Sequence, residues 1–462
     1  MKRFFGMSLA LVIITGALMA VAGAFYWVAG RLGWAFNAIS IWLGWNAEGT
    51  VSAAAVHYGA SIANVLTLMM VVLMISGSLL TVAERKWSAL LQNRTGANRI
   101  KVFGNPLGGI PYLAADALKM LTKERTDPAR STYLLYNLAP VMALAPVFCL
   151  FAIVPVGPSI DLGAVVEGVR GAGLSVALQV AKMDAGLLYL LAIASLSVYG
   201  TSLAGWASNN KLALLGGVRA SSQMISYEVS LGLSLVGTMM AYRTLQLDEM
   251  VVAQGAAGLG VAPAWGLLLQ PVGFLIFFTS GFAETKRAPF DLPEGESEIV
   301  GYFLEYSGMK FGMFFLAEFL EIAVFAGVIT AVFLGGWHPL PWAGFTEWLR
   351  ASLHPLAFGA VCGGVFLAKM IVMMWLQLTI RWLLPRFRFD QIQQLCWKLL
   401  LPAAIINIFV TGAAILLDPS LQLLAALGII TIVAVAVLVG ATGKAPEAAH
   451  GHAHAHAHGG GH

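Results

Sequence analysis

The sequence predicts an all-α fold, a polytopic membrane helix bundle. Hydrophobic residues make up 59% of the 462-residue chain and charged residues only 11%, with a mean hydropathy of +0.80. A soluble chain would carry roughly 25% charged residues. Apolar runs of about 20 residues recur along the sequence, the length needed to cross a bilayer as a helix. The runs are continuous and do not alternate with period two, which favours helices over barrel strands.

Ten spans are expected in order, at about 5–29, 62–83, 134–154, 185–205, 223–242, 264–283, 311–334, 355–382, 397–417 and 421–441. Between the second and third, YLAADALKMLTK (112–123) sets Leu113, Ala117, Leu118 and Leu121 on one face and Asp116, Lys119 and Lys123 on another. That pattern predicts a short helix lying in the membrane interface. The loops at 155–184 and 243–263 are poor in charge and read as packed connections, and Pro339, Pro341 and Pro355 predict irregular chain over 335–354.

Lys2 and Arg3, an apolar run and Ala22-Gly23-Ala24 also imitate a secretory signal, so residues 1–30 are either an extra N-terminal transmembrane helix or a signal-like segment. With the N-terminus in the cytoplasm, 21 of the 27 Lys and Arg fall on the cytoplasmic side. The positive-inside rule therefore puts both termini there. The net charge of +4 reflects this bias and does not point to nucleic acid. Three cysteines without C-x-x-C spacing predict neither an iron–sulfur cluster nor a structural disulfide in this chain. The alternating His of 444–462 could bind a transition metal, but a disordered solvated tail is the simpler reading.

Charge inside the spans is costly. Glu228, Glu318, Glu321 and Lys369 would together cost on the order of 10 kcal/mol at helix centres, comparable with the net stability of a domain. Such groups persist when they face a hydrated interior, pair with one another or carry protons. A proton relay is the functional reading. A static ion pair between Lys369 and a Glu is the structural one.

The densest acid is ETKRAPFDLPEGESEIVGYFLE, with six carboxylates between Glu284 and Glu305. Pro289 and Pro293 predict an extended 288–293. A helix after Pro293 would set Glu294, Glu298 and Glu305 on one face, with Glu296 pointing elsewhere. Like charges at that spacing repel, so some should titrate above an ordinary Glu unless Lys286 or Arg287 screens them. The segment lacks the alternating acids and fixed Gly of a calcium loop, and no metal site is expected. A second polar block, ERKWSALLQNRTGANRIK, begins at Glu84 and Arg85.

These motifs resemble a known family. ERKWSALLQNRTGANRI with DALKMLTKE, WASNNKLALLGGVRASSQMISYEVSLGLSL, and AETKRAPFDLPEGESEIVGYFLEYSGMKFGMFFLAE look like the H subunit of NADH:quinone oxidoreductase, respiratory complex I. The resemblance runs from about 62 to 417, through PRFRFDQ and WKLLLPAAIINIFVT. It implies eight core helices with one extra at each end. It divides the chain into 1–30, a complex I-like membrane domain at 31–418, an extra helix at 419–443 and the tail at 444–462.

It further implies a non-redox subunit of a proton-translocating enzyme in a bacterial inner membrane, inactive alone, with quinone as substrate. FMN and iron–sulfur clusters would sit in partner subunits, and the partners would be peripheral-arm, small membrane and antiporter-like subunits. By resemblance, Glu228, Glu284, Glu294, Glu296, Glu298 and Glu318 fall on the proton path. Arg85, Arg94, Arg287, Asp291 and Glu305 line or shape the quinone tunnel, with Glu84 and Asp116 as weaker candidates. Lys286 departs from the family, where Asn is common. The equivalent subunit of a ferredoxin-fed quinone reductase or membrane-bound hydrogenase is the alternative. A stand-alone transporter is disfavoured because there is no inverted repeat.

Overall fold

The computed structural model describes residues 2–45, 52–100, 109–161, 163, 174–255, 264–295, 298–341 and 344–442. Glu296 and the His-rich tail lie outside them. The order is α1 (Lys2–Trp42), α2 (Ala53–Leu91), α3 (Ile110–Thr122), α4 (Tyr133–Ala152), β1 (Gly157–Asp161), β2 (Ser175–Leu178), α5 (Gly186–Ala207) and α6 (Lys211–Tyr242). It continues with α7 (Leu247–Gly255), α8 (Gly266–Leu269), α9 (Pro271–Glu284), α10 (Gly308–Val332), α11 (Phe345–Ser352), α12 (Pro355–Leu383), α13 (Phe389–Leu417) and α14 (Gln422–Thr442).

Among the described residues, eight helices are long and apolar enough to cross a membrane. Two shorter apolar helices, Pro271–Glu284 and Gln422–Leu438, occupy the sixth and tenth expected spans. Among the described residues the bundle is all-α apart from one antiparallel strand pair, β1 with β2, in the loop expected only to pack.

α10 is the central post. Ala323, Ala326, Ile329, Ala331 and Val332 are completely buried along it. Around it, close helix contacts depend on small residues, as expected where lipid supplies no hydrophobic drive. A Cβ at Gly200 of α5 would lie 2.6 Å from the Ala143 backbone of α4, and one at Gly59 of α2 would lie 2.4 Å from the Leu32 carbonyl of α1. α1 is thus built into the bundle. Its Tyr26 is fully buried and donates to the Pro158 carbonyl of β1 at 2.5 Å. The helix runs unbroken through residue 30, where the sequence suggested a boundary.

α2 contains a π-helical stretch, Val65–Leu73, and α13 another, Leu395–Leu400. Such wide turns are rare and concentrate near functional sites. α3 forms where a short helix was expected, with no buried residue and with Leu118 and Leu121 exposed.

Three local expectations are corrected. The loop 335–354 is not wholly irregular, because α11 forms between its prolines. The stretch 288–293 is not extended: Phe290 N bonds the Arg287 carbonyl at 2.8 Å in a tight turn. The Gln223 amide of α6 holds that turn by donating to the carbonyls of Ala283 (2.7 Å) and Phe290 (2.9 Å). Among the described residues no helix forms between Pro293 and α10, and Glu294, Glu298 and Glu305 share no helix face. Val300 and Gly301 take positive φ (68° and 136°), which breaks a right-handed helix, and three like charges would have lined one side of it.

Candidate functional site

The segment between α9 and α10 is an acidic loop anchored by apolar side chains. Phe290, Leu292, Ile299, Tyr302 and Tyr306 are all buried. Tyr306 stacks on Tyr136 of α4 with centroids 4.1 Å apart, and the Tyr136 hydroxyl donates to the Glu305 carbonyl at 2.8 Å. The loop also lies directly on α6, where a Cβ at Gly216 would come within 2.8 Å of Tyr302 N. A loop fixed so firmly can hold charge at defined positions.

Those charges form a buried network. Arg287 Nη1 donates to Glu84 Oε2 of α2 at 3.1 Å, and its Nη2 lies 3.7 Å from Glu318 Oε2 of α10. Arg381 of α12 pairs with the other oxygen of Glu84. The Arg287 guanidinium sits over the Phe319 ring, 4.1 Å from its centroid, which offsets part of the desolvation. The Tyr302 hydroxyl donates to Glu318 Oε1 at 3.1 Å. Burial, with the Glu318 carboxylate close by, pushes the Glu294 pKa well above the usual carboxylate range. Nearby, Lys286 Nζ lies 3.6 Å from Glu321 Oε2, both side chains being almost fully buried.

Two cavities meet this network. The first holds about 350 Å³ and is lined by Glu84, Arg85, Arg287, Glu294, Glu318 and Arg381, with Phe303, Phe311, Phe315, Phe319 and Trp382 as its aromatic wall. Aromatic walls with a few convergent charges suit a flat, polar-headed organic molecule. The second, about 50 Å³, lies deeper among α4, α5, α6, α9 and α10 and is lined by Glu284 and Glu321. Glu228 is half-buried on α6.

The structure therefore brings Arg85, Arg287, Glu84, Glu294 and Glu318 to one cavity and Glu284 to the next. Asp116 closes on Arg85 from α3 at 2.7 Å. Asp291 pairs with Arg386, and burial, only partly offset by that arginine, raises its pKa to about 6. The remaining candidates lie apart. Arg94 is exposed and bonds Gln92 at 2.6 Å. Glu298 is exposed on Arg219 at 2.7 Å, which lowers its pKa. Glu305 accepts from Asn210 at 2.6 Å beside an open groove.

Arg381 and Tyr302 were not among the candidates drawn from the sequence. A basic residue in the last turn of a span was the available signal for Arg381. Of the two readings open for Lys369, the ion pair with a Glu is not seen among the described residues: its Nζ donates to the carbonyls of Leu334 (2.7 Å), Gly336 (3.1 Å) and His338 (2.6 Å) and sits 4.3 Å from the Trp265 ring centroid.

Fold and site together define a helical integral membrane protein whose buried charge network opens to one end of the bundle. The sequence model of the NADH dehydrogenase family matches residues 63–412. The NADH-quinone oxidoreductase H subunit 1 of Geobacter metallireducens is 42% identical over 355 residues, covering 76% of this chain and 95% of the relative. The protein of the same name from Cytophaga hutchinsonii is 40% identical over 357 residues, covering 76% and 95%. The NADH-quinone oxidoreductase H subunit 2 of Geobacter sulfurreducens is 41% identical over 369 residues, covering 79% and 98%. The chain belongs to the NADH dehydrogenase family, among the H subunits of NADH-quinone oxidoreductase. α1 and α14 lie outside the matched segment.

Proposed function

We propose that this chain is the membrane subunit of a proton-pumping NADH-quinone oxidoreductase that forms the quinone tunnel and the first part of the acidic proton path. The carrying observation is the charged, aromatic-walled cavity at Arg287 and its proximity to a row of carboxylates leading into the bundle. Quinone would enter along the aromatic wall, its head toward Arg85, Arg287 and Arg381. Electrons would come from iron–sulfur clusters, fed by FMN, in peripheral-arm partner subunits.

Reduction takes two electrons and two protons, and the negative charge that builds up first must be balanced locally. Glu294 and Glu318 sit where that charge would be felt. Glu321 with Lys286, then Glu284, then Glu228 would extend the response toward antiporter-like subunits. Arg85 with Asp116 shapes the tunnel mouth. Asp291, Glu298 and Glu305 hold the loop through Arg386, Arg219 and Asn210, with Glu296 part of the same acidic segment. The protein would lie in a bacterial inner membrane with both termini cytoplasmic, and be inactive alone.

Affinity purification through this chain tests the reading. The expected complex contains flavin and iron–sulfur subunits and reduces quinone with NADH. Recovery of the chain alone or as a homo-oligomer, without redox partners, would overturn it.

A further inference from the structure

Gln377 on α12 is 2% exposed, and neither its Oε1 nor its Nε2 has a hydrogen-bond partner among the described groups. Buried amides are almost always satisfied, so such a residue calls for a partner. Met373, Met374 and Leu378 beside it on the helix are buried and apolar. One turn later comes Arg381, which pairs with Glu84, and Glu84 in turn accepts from Arg287. Helical side chains lean toward the N-terminus, so Arg381 covers the turn that Gln377 occupies. Arg287 Nε, in the same network, is likewise buried and unpartnered.

We propose that Gln377 seats ordered water beneath the Arg381–Glu84 ion pair and, through that water, positions Arg381 at the cavity wall. Water fits both halves of the amide, since it donates to the oxygen and accepts from the nitrogen. It can also accept from the guanidinium above, joining Gln377 to the network without a protein contact. Gln377 would then be a positioning residue that touches no substrate. Its functional consequence rests on the quinone-tunnel reading, but the water does not.

Two measurements test the proposal on the intact complex. A cryo-EM map that resolves waters should show density within ~3.2 Å of the Gln377 amide, continuing toward Arg381 or Glu84. An amide bonded directly to protein groups, or dry, overturns the proposal whatever the complex does. Gln377→Leu, similar in size but apolar, should lower quinone reduction about fivefold, the worth of one hydrogen bond, and change its pH profile. Gln377→Asn, which keeps the amide, should recover part of the rate. A wild-type rate and pH profile in Gln377→Leu would also overturn it. If Gln377→Leu fails to assemble, the wild-type map decides. If the wild-type complex reduces no quinone, the functional reading fails while the map still decides the water.

Discussion

Arg287 Nη1 and Glu84 Oε2 lie 3.1 Å apart although 203 positions separate them in the chain. The contact ties the acidic loop to α2, and Glu318 of α10 and Arg381 of α12 complete a four-residue network around it. Charges buried this deeply hold one another. Removing Arg287 would leave Glu84 dependent on Arg381 and Glu318 without a cation. Arg287→Leu should therefore destabilise the protein by about 3 kcal/mol or more. The check is the melting temperature and yield of the assembled complex, and Arg287→Lys should recover part of both.

His338 offers a pH test at the other end of α10. Its ring nitrogens contact Val251 O at 2.8 Å and Thr346 Oγ1 at 2.9 Å, and burial lowers its pKa to about 4. The unfolded chain, with a His pKa near 6.5, binds the proton more readily than the folded one. Stability is therefore complete above about pH 6.5 and falls as pH drops toward 4, by about 3 kcal/mol in all. Melting temperatures at pH 7 and pH 5 should differ less in His338→Gln than in wild type. An equal difference would assign the pH dependence to other groups.

Lys369 makes three carbonyl contacts in place of an ion pair among the described residues. The carbonyls of Leu334, Gly336 and His338 belong to the loop that follows α10. Lys369→Met should cost about 2–4 kcal/mol, since charged hydrogen bonds are lost while the carbonyls stay partly buried. Thermal unfolding of the complex measures this. Activity per assembled complex should change much less than stability.

Glu298 contrasts with its neighbours. It is exposed and paired with Arg219, and its lowered pKa keeps it ionised at physiological pH. A carboxylate that stays charged in contact with water is poorly suited to relay protons. Glu298→Gln should leave quinone reduction and pumping within about twofold of wild type, as surface ion pairs contribute little. A loss as large as that from the buried carboxylates would put Glu298 back on the path.

Much of this was legible in the sequence because membrane spans are written in continuous apolar runs. The all-α bundle, with an apolar helix at each expected span and eight of them long enough to cross a membrane, the short helix α3 and the acidic segment all follow from hydropathy and charge. The acidic loop did not follow. Periodicity suggested a helix face for Glu294, Glu298 and Glu305, but the tertiary anchors Tyr302, Tyr306 and Gln223 bend the chain and scatter the three acids. Partners across the bundle were equally hidden. Nothing local says that Arg381 meets Glu84, or that Lys369 serves carbonyls after α10. Such pairings depend on how helices dock, which periodicity does not record.

Glu284 provides the most direct test of coupling. It lines the deeper cavity with Glu321. Gln at this position keeps the shape and removes the titrating group. The measurement is NADH-driven quinone reduction and proton uptake by the Glu284→Gln complex reconstituted in liposomes. If the carboxylate row links the quinone cavity to pumping, both rates fall together, by about a hundredfold or more for a blocked general acid–base step. An assembled Glu284→Gln complex with wild-type quinone reduction and wild-type pumping would contradict that link.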